Sequence, residues 1–343
     1  MNAIAKLPPR ERGQIFTEAG ARLGFAPFHV EKDFWVCWTL ATLFGDGKIG
    51  GNLAFRGGTS LSKGWQCIER FSEDIDLAIN RSWVGGEALI EFKGPSLTTS
   101  ERDRRHRRLR EQCRHVIGEV IAPHLMACLE AISNDGRARV ITGSVARDRD
   151  PFVVQVEYPG SGLTPPDDYF QPVVKIELSG RAEDAPAEPR LIVPYVRRLF
   201  PQLFADTPHP VPCILPHRTF WEKAALLHEQ HTNPKSAEPA NRQSRHLYDL
   251  HQLWTAGNLM ASITHQDPMF REVMAHRSDF FPYGWVDHLK ILPGDLLLVP
   301  PADRIGAWMA DFAKMKSMFF GVPPLFEQVL KTLQDIQNSL GRA

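Results

Sequence analysis

Two aspartates one residue apart in an apolar run, Ser72-Glu73-Asp74-Ile75-Asp76-Leu77, constrain this chain more than any other feature. A strand alternates its side chains between two faces, so Asp74 and Asp76 share one face while Ile75 and Leu77 share the other. Acids are depleted in strands, and burying such a pair unpartnered is costly. The aspartate face therefore has to be solvated or has to meet a cation. Magnesium suits it, because that ion commonly takes one or two carboxylates together with substrate phosphates.

The residues just upstream, Phe55-Arg56-Gly57-Gly58-Thr59-Ser60-Leu61-Ser62-Lys63, form a glycine turn that leads into a helix. Gly57 and Gly58 let the backbone approach a ligand closely. Thr59 or Ser60 can cap the helix, whose free N–H groups and dipole favour a phosphate. Lys63, one turn further on, adds a positive charge, and Arg70 and Ser72 are further candidates for phosphate contact. A phosphate cradle followed by a metal-binding carboxylate pair is the equipment of nucleotidyl transfer, in which metals bridge phosphate oxygens and clamp the attacking and leaving groups. The competing reading is a turn followed by an edge strand with solvated acids.

At 343 residues, the chain is long enough for about two domains of ~150 residues. Residues 1–50 carry helical stripes of Phe34, Trp35, Trp38, Leu40 and Leu43, and GDGKIGG (Gly45–Gly51) reads as a turn cluster. Strand candidates follow at Ala138–Val145, Pro151–Tyr158 and Pro172–Gly180. A proline-rich connection (Phe200–Pro216) then precedes almost wholly helical periodicity, with a polar loop at His231–Ser244. The last segment repeats Leu325, Val329, Leu333, Ile336 and Leu340 on one helical face. These changes divide the chain into residues 1–204, mixed α and β, and residues 205–343, helical.

Forty basic and forty acidic side chains cancel, so no global field draws nucleic acid. Charge is nevertheless uneven. ERDRRHRRLRE (Glu101–Glu111) sets six arginines against three acids, followed by an apolar stripe of Leu109, Cys113, Val116, Ile117, Val120 and Ile121. It reads as the exposed end of an amphipathic helix that Pro123 ends or kinks. Arginine forks fit phosphate oxygens, so the run is either a solvated face or a phosphate-backbone contact. No apolar run approaches the ~20 residues needed to span a bilayer, and MNAIAKLPPRERGQ lacks the apolar core of a signal peptide. A cytoplasmic protein with no membrane partner is expected. Five scattered cysteines, none in a Cys-x-x-Cys pair, argue against a disulfide framework or a zinc site.

In PVVKIELSG, alternation places Lys175 and Glu177 on one face and Val174, Ile176 and Leu178 on the other. Thr219-Phe-Trp-Glu222 reads as a capping box, which starts a helix there and leaves Lys223 in a first turn that disfavours cations. Further along, Arg245, Asp249 and Gln252 share a helical face. Asp249 has three readings: a pair with Lys223, a base for an incoming hydroxyl, or an i,i+4 pair with Arg245.

Gly57-Gly58-Thr59-Ser60 followed by Asp74-Ile75-Asp76-Leu77 resembles the minimal nucleotidyltransferase core of the DNA polymerase beta superfamily. GGTSLSK and RFSEDIDL are similar to the abortive-infection AbiEii toxin family, which includes the MenT toxins. The likeness continues in VEKDFWV (Val30–Val36), VVKIELSGR (Val173–Arg181), RTFWEKAALLH (Arg218–His228), RHLYDLHQL (Arg245–Leu253) and KMKSMFFGVPPLFEQVL (Lys314–Leu330).

The resemblance implies an α+β fold, a nucleotidyltransferase-type mixed sheet with flanking helices followed by an all-helical C-terminal domain. It implies a magnesium (or manganese) enzyme that moves a nucleoside monophosphate from an NTP to an RNA acceptor, the tRNA 3′ end, and releases pyrophosphate. Asp74 and Asp76 would hold metal, joined by a third carboxylate from a neighbouring strand, Glu177 or, in competition, Glu157. Gly57, Gly58, Thr59, Ser60, Lys63, Arg70 and Ser72 would bind the nucleotide. Lys223 matches the family's catalytic lysine and Asp249 the aspartate of its Tyr-Asp-Leu motif, both reaching the cleft from the helical domain. His246 stands where the family often has an acid. A growth-arresting toxin also implies a cognate antitoxin, encoded nearby. The rival readings are a nucleotidyltransferase acting on a protein or small molecule and a non-enzymatic nucleotide-binding module.

Overall fold

Helices open the chain, as the early apolar stripes require. Pro9–Leu23 and Pro27–Gly45 each carry a proline in the first turn, where its missing N–H is one the helix leaves unbonded anyway. This computed structural model describes residues 1–85, 98–133, 136, 138–142, 150–235, 238–255 and 262–341. The Gly45–Gly51 cluster contains a short helix, Gly47–Gly50, whose N-terminus is capped by the Asp46 carboxylate.

Among the described residues, seven strands form one mixed sheet: β1 (Leu53–Arg56), β2 (Ile75–Ile79), β3 (Arg139–Ile141), β4 (Phe152–Glu157), β5 (Val173–Ser179), β6 (Ala187–Leu191) and β7 (Pro210–Ile214). Their order is β3-β4-β5-β2-β1-β7-β6. The pairs β2·β5 and β1·β7 are parallel and the others antiparallel. β3 falls within the strand expected at Ala138–Val145, and residues 143–145 lie outside the described residues. β7 falls inside the proline-rich stretch Phe200–Pro216, expected as a connection, and β6, which contains Pro189, lies just before it.

Burial alternates along β2 and β5 as the sequence predicts: Ile75, Leu77, Val174, Ile176 and Leu178 are buried, while Asp74, Asp76, Lys175 and Glu177 are half-exposed. The helix Pro27–Gly45 packs against β5 and β7 with nearly all of its middle buried, including Glu31, Lys32 and Asp33. The arginine-rich helix runs from Thr99 to Val116 and passes through a π turn, Ile117–Ile121, into Ala122–Glu130. Pro123 therefore does not end the rod, and the wider turn just before it accommodates the N–H it lacks.

The chain forms two compact units: Met1–Gly64 with Phe71–Ile214, and Leu215–Ala343 with the short segment Trp65–Arg70. The division falls after β7 rather than at residue 205, because the proline-rich stretch supplies a strand to the sheet. The second unit is built on the helices Pro216–Thr232, Arg245–Thr255, Pro268–Phe280, Ile305–Ala313 and Phe326–Leu340. Trp65–Arg70 joins it through an Arg70–Phe319 bridge and a bond from the Phe320 N–H to the Glu69 carbonyl. The C-terminal helix buries Phe326, Val329, Leu333, Ile336 and Leu340, while Leu325 is its exposed N-cap. The His231–Ser244 stretch is partly helix, and its end is fixed by Arg242 and Ser244 N–H bonds to Asp311; residues 236–237 lie outside the described residues. No helix among the described residues is long and apolar enough to cross a membrane. All five cysteines are free thiols.

Candidate active site

The glycine turn sits where β1 passes into a short helix, Gly57–Ser60, which continues as a π turn over Leu61–Trp65. Gly57 has φ +76°, and a Cβ placed there would lie 2.0 Å from Asp76 Oδ2. Both the backbone and the carboxylate thus demand glycine at this position. The Thr59 hydroxyl donates to the Asp74 carbonyl and shares a hydrogen bond with the Ser72 hydroxyl (3.0 Å), which ties the turn to the start of β2. Thr59 and Ser60 are buried, so what these two offer outward is backbone rather than hydroxyl.

Strand register decides which acids gather. Asp76 is the direct partner of Glu177 in the parallel pair β2·β5 and of Arg56 in β1·β2. Glu157, the competing acid, lies at the far end of β4 opposite Val173 and is held by Arg139 (2.9 Å). Lys175 bonds to Glu177. Burial opposes the Lys175 ammonium, but Asp74, Glu177 and Asp76 together raise its pKa above the ordinary lysine value. Three carboxylates therefore act on one cation. Among the described residues, no three His, Cys, Asp or Glu side chains form a ready-made metal cage. The oxygen donors and their field on the Lys175 ammonium nevertheless fit a hard divalent cation that takes its remaining ligands from a substrate triphosphate.

Buried charges in the helix Pro27–Gly45 hold this region in place, a role the sequence reading did not assign them. Lys32 pairs with Glu73, the residue before Asp74, and donates to the Gln171 carbonyl (2.6 Å). Asp33 accepts from the Tyr195 N–H (2.6 Å) and pairs with Lys63 (2.6 Å). The Lys63 ammonium also lies 3.7 Å from the centre of the Tyr195 ring. Burial works against its charge, but Asp33, Cys37 and Tyr195 together raise its pKa. Lys63, expected to face phosphate, is thus a buried staple beneath the turn. The signal in the sequence was three consecutive charged residues, Glu31-Lys32-Asp33, inside an apolar helix. A cavity of about 450 Å³ opens elsewhere in this unit, near Trp38, Thr42, His124, Ile192 and Arg197, and none of the candidate residues lines it.

The second unit carries the remaining candidates. Its first helix begins at Pro216, three residues before the expected capping box, because proline at the first position fixes the start. Lys223 therefore lies in the helix interior, not in the first turn, and it is buried. The Thr219 hydroxyl bonds back to the Leu215 carbonyl (3.3 Å) instead of capping. Asp249 is fully buried. It accepts two parallel bonds from Arg70, Nε to Oδ1 (2.7 Å) and Nη2 to Oδ2 (2.8 Å), and pairs with Lys223 at 3.0 Å. Of its three readings the structure selects the Lys223 pair and adds Arg70, which no helical pattern could indicate. Lys223 also donates to His246 Nδ1 (3.3 Å).

The electrostatics follow from this packing. Burial lowers the Lys223 pKa, Asp249 resists, and Arg70 and Arg245 push it further down. For Asp249, burial is outweighed by Arg70 and Lys223, which hold its pKa well below the ordinary aspartate value. Burial, Lys223 and Arg245 push His246 well below the usual histidine value, so its imidazole is neutral.

A glycine turn against a carboxylate row on a mixed sheet defines a nucleotidyltransferase-type domain. Comparison with known proteins gives the family: the model described as "Nucleotidyl transferase AbiEii toxin, Type IV TA system" matches residues 38–332. The chain belongs to the AbiEii family of nucleotidyltransferase toxins of type IV toxin–antitoxin systems. Membership makes it an enzyme and implies an NTP substrate and an antitoxin partner. Among solved structures it is similar to MenT4, a nucleotidyltransferase toxin from Mycobacterium tuberculosis. The identity is 17% and the TM-score 0.44, with 96% of this chain and 99% of that chain covered. No curated protein matches.

Proposed function

We propose that this enzyme transfers a nucleoside monophosphate from an NTP to an RNA acceptor, the 3′ end of tRNA, with release of pyrophosphate and with magnesium or manganese bound. The observation that carries the chemistry is the register pairing of Asp76 with Glu177, on a half-exposed row where Asp74 also acts on the Lys175 ammonium. Asp74, Asp76 and Glu177 would hold the metal, which when bound supplies charge neutralisation at the triphosphate and a polarised attacking oxygen. Gly57 and Gly58 bring backbone N–H groups close to the triphosphate. Thr59 and Ser72 keep that turn in register with the carboxylates, and Ser60 and Lys63 anchor it from within.

Lys223 is assigned to the same reaction through its place in the family's Glu-Lys motif. A lysine whose pKa burial lowers sheds its proton more readily than a surface lysine. It is thus suited to move a proton at the acceptor hydroxyl or to neutralise a phosphate. Asp249 is a poor proton acceptor, because two cations stabilise its ionised form. Its role is to position Lys223 and Arg70, and Arg70 enters phosphate binding through that pair. The acceptor and the cytoplasmic setting rest on the family resemblance alone.

The test is incubation of the protein with each labelled NTP and either total tRNA or total cell protein. Label on the tRNA 3′ end, abolished in Asp76→Ala, is the expected result. Label on protein alone would remove the RNA acceptor while keeping the transferase. Growth arrest that persists in Asp76→Ala would remove the carboxylate chemistry itself.

A further inference from the structure

The helix Thr99–Val116 holds seven arginines against three acids, in a chain whose charges balance as a whole. Its inner face is apolar. Leu109 and Cys113 are buried against Gly180, immediately beyond β5, where a Cβ would come within 2.6 Å of Cys113 Sγ. Seating this face fixes what the opposite face presents. Arg104, Arg107 and Arg108 are exposed at three- and four-residue spacings, and exposed Arg114 follows two turns after Arg107 on the same side of the helix, where arginines outnumber the exposed acids Asp103 and Glu111. Glu101 pairs with Arg104 and Arg105. Arg107, Arg108 and Arg114 have no carboxylate partner among the described residues.

We infer that this exposed arginine face is the docking surface for the sugar–phosphate backbone of the RNA acceptor. The inference rests on the RNA reading above and adds to it the part of the molecule that binds the strand. Three observations favour a phosphate chain over a protein. Guanidinium forks match phosphate oxygens and stay charged at every physiological pH. No large apolar side chain is exposed on this helix among the described residues, so the face lacks the desolvated anchors around which protein interfaces are built. The basic character also continues towards the carboxylate row. Arg181 lies 3.9 Å from Asp150, and Asp150 is acted on by Arg181, by Arg110 of this helix and by Arg56, the register partner of Asp76.

The experiment measures binding of 5′-fluorescein-labelled total tRNA by anisotropy across a salt series. It compares the native protein, a variant with Arg104, Arg107, Arg108 and Arg114 all changed to Gln, and one with all four changed to Lys. Each lost phosphate contact removes about 0.7–0.9 from the slope of log K against log salt, so the Gln variant should lose about 3. The Lys variant keeps the charge and should keep most of the slope. In the transfer assay the Gln variant should raise the KM for tRNA at least about tenfold and leave the KM for NTP unchanged. Glutamine retains helix propensity, and circular dichroism checks that the helix is intact.

An unchanged slope in the Gln variant overturns the inference, and tRNA labelling by the native protein would then leave the transferase reading standing. Native protein that neither binds nor labels tRNA removes both. A Gln variant that keeps its RNA slope but escapes antitoxin neutralisation assigns the face to the protein partner, which also overturns the inference.

Discussion

The carboxylate row of the sheet unit and the Arg70–Asp249–Lys223 cluster of the helical unit use the same charge chemistry in opposite settings. In the row, Asp74, Asp76 and Glu177 are half-exposed on one face, with Lys175 among them and Arg56 the register partner of Asp76. In the cluster, a fully buried carboxylate is shared by two buried cations, with a neutral histidine at the edge. A half-exposed row keeps its contact with water, which screens its charges and leaves them accessible. A buried cluster has no such screening, so its charges are committed to one another and it contributes order and a shifted lysine. Substitutions in the row should therefore change chemistry with little effect on stability, whereas substitutions in the cluster should cost stability as well as activity.

The largest effect should come from Asp249→Ala, which strands Arg70 and Lys223 as buried, uncompensated cations. A loss of about 3–5 kcal/mol is expected, read as a shift in the urea midpoint of the helical unit. An unchanged midpoint would show that the cluster is not structural. Next, Asp76→Ala should lower kcat by about 10²–10³-fold, the range for removing one preorganised electrostatic group, while the melting temperature stays nearly constant. A large fall in melting temperature would erase the contrast between row and cluster.

Gly57→Ala combines both kinds of damage. An L-residue at φ +76° costs about 1–2 kcal/mol, and the new methyl displaces Asp76, so activity should fall more than tenfold. Native activity in this variant would separate the turn from the carboxylate row. The most gradual effect, spread over more than two pH units, is a pH dependence shared by both units. His29, stacked on Phe71, and His231, bonded to the Leu297 carbonyl, are each pushed down to about 4, mainly by burial. Between pH 6.5 and about 4 the unfolded chain binds protons that the folded chain does not, so stability falls on acidification. The slope should be on the order of 1.4 kcal/mol per pH unit for each histidine. His29→Phe should flatten the acid limb of the melting curve; an equally steep limb would place the proton uptake elsewhere.

Some of this was legible in sequence because it is local. Alternation along a strand settles which side chains share a face, and so the faces of Asp74 and Asp76, and of Lys175 and Glu177, followed from spacing alone. The φ-permissive pair at Gly57-Gly58 and the helical period of the second half are equally local. Less local features were harder to read. Prolines at 189, 210 and 212 masked β6 and β7, because strand pairing tolerates proline only where the partner strand leaves its N–H side unused. The start of the Lys223 helix shifted by one turn, because Thr219 looked like a cap while Pro216 set the boundary.

The sequence by itself determined the chemistry available: a glycine turn, a carboxylate pair on one strand face, a lysine and an aspartate on later helices, and an arginine-rich amphipathic helix. Only the tertiary structure decided the partners. It placed Glu177 rather than Glu157 beside Asp76, turned Lys63 inward onto Asp33, and set Arg70 and Lys223 on one buried Asp249. Side-chain direction is a property of a few consecutive residues. The partner of a charge depends on strand register and on the packing of segments from tens to more than a hundred residues apart, which no local period encodes.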